Sequence, residues 1–66
     1  MNIQLNGELK ALDAPCSVHD LLVELDLAGK RVAVELNGEI VPRSQQASRT
    51  LQADDQVEVV VAVGGG

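Results

Sequence analysis

The chain has 66 residues, 45% of them hydrophobic and none aromatic, with ten acidic and five basic side chains for a net charge of −5. A length of this order holds one domain, and its core must come from Leu, Val, Ile and Ala, which leaves little volume for a deep active site and argues for a binding or carrier module. There is no basic cluster or aromatic platform for nucleic acid, no apolar run for a membrane span and no signal-peptide pattern, so the chain is expected to bind neither and to be cytoplasmic, while its acidity suits a more positive protein partner.

Residues 1–5 alternate, with Ile3 and Leu5 on one face, which is a strand pattern. Asn6-Gly7 follows, and Asn-Gly is the strongest two-residue hairpin signal because a type I′ turn needs positive φ at both positions. Residues 8–12 return as a second strand, which Asp13-Ala14-Pro15 breaks. Ser17 and Asp20 then stand as a capping box, and the spacing of Val18, Leu21, Leu22 and Leu25 predicts a helix over 18–27 with Gly29 as its C′ residue.

Residues 31–36 alternate again, with Val32, Val34 and Leu36 inward and Ala33 and Glu35 outward. Asn37-Gly38 repeats the hairpin signal, and the tetrapeptide Leu-Asn-Gly-Glu occurs at both 5–8 and 36–39, which is read as shared turn chemistry. Ile40-Val41 is a short strand closed by Pro42, as suits a sheet edge. Residues 44–50 are polar with room for one helical turn, Leu51 is an isolated apolar anchor, and residues 53–56 turn the chain into a last strand. There Val57, Val59 and Val61 share the face toward the helix, and Glu58, Val60 and Ala62 the other; valine on both faces predicts a central strand.

One mixed sheet with one main helix on one face is an α+β layer, and this order of elements resembles the ubiquitin-like β-grasp, in which the last strand lies beside the first. Residues 1–63 are then the domain and 64–66 a flexible glycine tail. Glycine lacks a Cβ, so Gly64, Gly65 and Gly66 suit a thin segment that threads into a partner's narrow slot and presents a terminal carboxylate. The plain alternative is a frayed end or a linker remnant.

The whole chain resembles the ThiS family, the sulfur carriers of thiamine biosynthesis. The resemblance rests on Leu36-Asn37-Gly38-Glu39-Ile40-Val41-Pro42-Arg43, on Leu51 followed by Asp55-Gln56-Val57-Glu58-Val59, and on the terminal Ala62-Val63-Gly64-Gly65-Gly66. Ala53-Asp54-Asp55 departs from the family's common Asp-Gly-Asp, and Asp54 in the glycine's place is expected at positive φ. The resemblance implies a carrier, not an enzyme, with no cofactor of its own. A partner enzyme adenylates the Gly66 carboxylate with ATP, a sulfur donor of the cysteine desulfurase pathway converts it to a thiocarboxylate, and thiazole synthase accepts the sulfur. Val60 and Ala62, the outward apolar residues nearest the tail, are the expected docking surface for those partners. Rival readings are the sulfur-carrying small subunit of molybdopterin synthase, a protein modifier joined to lysines, and an interaction module with an inert tail.

Cys16 and His19 flank a helix start, where a thiolate can be stabilised, but a catalytic pair needs an orienting third group and a pocket. The expectation is a half-buried Cys16 and an exposed His19, and one of each falls short of a structural zinc site. A single cysteine closes no internal disulfide. Arg43 is read as a surface ion pair, as a contact to a nearby loop, or as a partner contact.

Overall fold

The computed structural model describes residues 1–62. Five strands form one sheet: β1 Asn2–Leu5, β2 Glu8–Ala11, β3 Val32–Leu36, β4 Glu39–Ile40 and β5 Gln56–Val61. The order across the sheet is β2-β1-β5-β3-β4, so the valine-rich last strand is central, parallel to β1 and antiparallel to β3. Both Asn-Gly pairs make the expected hairpins, with Asn6 and Gly7 at φ 51° and 82° and Asn37 and Gly38 at φ 52° and 86°. A three-residue 3-10 turn, Arg43–Gln45, stands within the long connection to β5.

The helix α1, Val18–Glu24, crosses the inner face of the sheet. Its capping box is complete: the Asp20 N–H donates to Ser17 Oγ at 3.1 Å, and the Ser17 N–H donates to Asp20 Oδ2 at 3.2 Å. The next free donors are met by the long connection, Val18 N–H by the Arg49 carbonyl and His19 N–H by that of Gln46. The helix is three residues shorter than the spacing predicts. Asp26 takes the left-handed conformation at φ 60°, its N–H bonds the Val23 carbonyl, and the Leu27 N–H reaches back to Leu22. That is a Schellman ending with Asp26, not Gly29, at C′. Gly29, at φ 83°, serves the separate turn that Lys30 N–H closes on the Leu27 carbonyl.

The core is aliphatic throughout: Ile3 of β1, Leu12, Val18, Leu21 and Leu22 of α1, Val34 and Leu36 of β3, Val41, Leu51, and Val57 and Val59 of β5. Leu51, 1% exposed, anchors the connection as expected. Asp54 stands at φ 68°, as its place in the turn before β5 requires.

The two Leu-Asn-Gly-Glu turns share more than turn chemistry, because both asparagine side chains hold β5. β1 pairs with β5 at Gln4 with Gln56 and Leu5 with Val57, then turns away. From that point the Asn6 side chain continues the ladder: Oδ1 accepts from Val59 N–H at 2.8 Å and Nδ2 donates to the Val59 carbonyl at 3.3 Å. At the other end of β5, Asn37 Oδ1 accepts from Gln56 N–H at 2.9 Å, and its Nδ2 donates to Asp55 Oδ1. A buried backbone N–H stripped of its partner costs about 1–3 kcal/mol. Asn6→Gly, which keeps the positive φ and removes the amide, is therefore expected to destabilise the chain by about that amount, and Asn6→Ala by roughly 1 kcal/mol more. Urea unfolding of the two variants checks this; a neutral Asn6→Gly would mean that the amide does not hold β5.

Candidate functional site

The alternation along β5 sends Val60 and Ala62 to the face of the sheet away from α1. Val60 is 60% exposed and Ala62 is exposed, so neither is covered by another described part of the chain. Register places Ala33 opposite Val60, Glu35 opposite Glu58, and Ile40 opposite Glu35, so these side chains share the outer face. The strand alternation agrees in setting Ala33 and Glu35 outward; it gives no face for the exposed Ile40, which its pairing across the second hairpin fixes.

The end of β5 is tied to the rest of the sheet. The Ala62 N–H donates to the Arg31 carbonyl at 2.9 Å, so the last described residue leaves the sheet from a paired position. Beside it lies a shallow depression of about 340 Å³, lined by Arg31, Val32, Ala33, Arg43, Val60 and Ala62. Arg43 reaches it because β4 runs antiparallel to β3 and Val41 N–H extends that pairing to the Val34 carbonyl, which carries the chain back toward the start of β3, where the Arg43 Nη2 donates to the Lys30 carbonyl at 3.3 Å. Of the readings for Arg43, the loop contact is present, and no ion pair to it is formed among the described residues. Gly64, Gly65 and Gly66, the residues expected to thread into a partner and carry the reactive carboxylate, lie outside the described residues.

Cys16 and His19 do not form a catalytic pair. Cys16 is half-buried and His19 exposed, and no hydrogen bond joins them among the described residues. Burial, and then the nearby Asp20 and Glu24 carboxylates, push the Cys16 thiol up from its ordinary range. A raised pKa leaves less thiolate at any pH below it, which is the reverse of an activated nucleophile. At pH 8 the folded chain is expected to react with iodoacetamide several-fold more slowly than the urea-unfolded chain; equal or faster reaction would identify an activated thiol. Among the described residues no group of three or more metal-ligating side chains converges, and no helix is long and apolar enough to cross a membrane.

Known proteins share this fold. The crystal structure of the thiamine biosynthesis protein ThiS from Geobacter metallireducens matches with a TM-score of 0.85 at 36% identity, each chain covered in full. The sulfur carrier protein ThiS of Escherichia coli is 35% identical, again over the full length of both. A thiazole synthase of Magnetococcus marinus is 44% identical over all of this chain, which spans about a fifth (20%) of that relative's length. The ThiS family model matches residues 3–66, the three terminal glycines included. With one helix on a five-stranded sheet and its last strand in the centre, and with this agreement along its length, the chain belongs to the ThiS family.

Proposed function

We propose that this chain is a sulfur carrier in thiamine biosynthesis and that the Gly66 carboxylate is its working group. It is a carrier and co-substrate, not a catalyst. The observation that carries the reading is the full-length match to a sulfur carrier protein, joined to an exposed apolar face beside the strand from which the tail departs.

The chemistry follows from the weakness of a carboxylate as an electrophile. In the proposed sequence a carboxylate oxygen of Gly66 attacks the α-phosphorus of ATP in the active site of an adenylating enzyme, and pyrophosphate leaves. The outer sulfur of a persulfide from the cysteine desulfurase pathway then adds to the acyl carbon and AMP departs; a second thiol cleaves the S–S bond of the resulting acyl disulfide by thiol–disulfide exchange, leaving a thiocarboxylate on Gly66 and a disulfide on the donor side. That sulfur is nucleophilic and stays tethered to a domain that partners recognise. Thiazole synthase is the proposed acceptor, which the similarity to a segment of a thiazole synthase supports. All of this is assigned to the cytoplasm, where ATP is available.

The fold's part is positioning. In the proposed division, residues 1–63 form the domain and 64–66 the threading tail. Gly66 lies four residues beyond Ala62, and four extended residues span at most about 14 Å. A partner seated on Val60 and Ala62 therefore has the carboxylate within that reach. Ordering each tail residue costs about 1–2 kcal/mol of backbone entropy, so threading Gly64, Gly65 and Gly66 needs compensation from the docked face.

Intact mass after incubation with ATP, an adenylating partner and sulfide tests the reading. A gain equal to exchanging one oxygen for one sulfur is expected, and it is expected to vanish when Gly66 is deleted. Val60→Asp is expected to keep stability within about 1 kcal/mol, because the site is exposed, yet to lose most of the conversion. No mass change with a partner active on another carrier contradicts the assignment, and full conversion of a folded Val60→Asp chain contradicts the docking face.

A further inference from the structure

The depression beside the end of β5 holds an imbalance of charge. The chain has ten acidic side chains and five basic ones, yet two of the five, Arg31 and Arg43, line this one hollow. Among the described residues the one ion pair is Lys10 with Glu24, at 3.3 Å on the other side of the sheet, so neither arginine is matched to a side-chain carboxylate of the described residues. Arg43 uses one nitrogen on the Lys30 carbonyl, which steadies the guanidinium; a guanidinium carries five N–H donors, so most remain open. Ala33, Val60 and Ala62 make the adjoining wall apolar, and a charge-assisted hydrogen bond gains strength in such surroundings.

From this we infer that the depression receives a carboxylate of the adenylating partner: an Asp or Glu side chain held by Arg31 and Arg43, with an apolar neighbour resting on Val60 and Ala62. The inference rests on the carrier reading above and adds the chemistry of the partner's contact. Charge on the rest of the face argues for this occupant and for one orientation. Glu35 and Glu58 stand opposite each other across β3 and β5, so an acidic segment is repelled there and is accepted only at the tail end. Paired charges of this kind set orientation and encounter rate more than raw affinity. The two arginines thus fix which way the partner lies on the sheet, and with it the direction in which the tail enters.

The test is the double variant Arg31→Gln/Arg43→Gln, assayed beside the unsubstituted chain for binding to the partner and for the initial rate of adenylation, at several salt concentrations. The KM for the carrier is expected to rise on the order of tenfold with kcat retained, and its dependence on salt to flatten. Arg31→Lys/Arg43→Lys, which keeps the charge and loses the fork, is expected to fall between the two. An unchanged KM and salt dependence overturns the inference, as does a fall in kcat at constant KM, which would mean that the arginines act on the reacting tail. The unsubstituted chain keeps the readings apart. Its own turnover tests the carrier assignment, the ratio of KM values tests the arginine pocket, and a failure of the unsubstituted chain to bind overturns both.

Discussion

The structure depends on β5 being held along both edges. On one side the strand runs antiparallel to β3 over five register pairs, from Leu36 with Val57 to Val32 with Val61. On the other it has only two residue pairs with β1 before that strand turns away, and the Asn6 amide takes over on both backbone groups of Val59. Without that amide the central strand would lose backbone partners at the height of the core, where Val57 and Val59 are buried. A 66-residue domain with no aromatic side chain has little core energy to spare, so backbone satisfaction at this strand carries unusual weight.

The strand divides the labour between its faces. Val57 and Val59 are buried inward and stabilise the fold, whereas Val60 and Ala62 point outward and carry no folding role that burial would require. Val60 is exposed, so the core does not require its apolar side chain; under the proposed function a docked partner accounts for it. The same economy appears in the charges. Acidic residues occupy the middle of the outer face, and the two arginines stand at the end from which the tail departs, so the surface has a direction as well as an apolar patch.

Much of this was legible in the sequence because it is local. Period-two alternation assigned the strands and their faces, Asn-Gly marked both hairpins, and Ser17 with Asp20 marked the helix start. The helix end was hidden because Leu25 continues the apolar spacing and Leu27, past the turn, packs back on the same core. An aspartate at the C′ position reads from sequence as one more solvent-facing helical residue, and the nearby Gly29 drew the assignment. The Asn6 bond to Val59 joins residues 53 apart, so it follows from register that no local pattern encodes. The meeting of Arg31 and Arg43 was equally unreadable, since it depends on how far the chain after the second hairpin follows β3 back toward its start. Alternation sets Val60 and Ala62 outward, and the packing leaves both exposed; their docking role rests on the family resemblance and on their nearness to the tail.

Under the proposed function the fold serves to deliver one terminal carboxylate. The most direct measurement is ATP–pyrophosphate exchange by an adenylating partner with two forms of the chain, one ending in the Gly66 carboxylate and one in the Gly66 carboxamide. The two differ in a single terminal group and share every contact of the folded domain. Exchange with the acid and none with the amide is the predicted result. Equal exchange with both forms would contradict the account, because the reacting group would then lie elsewhere on the chain.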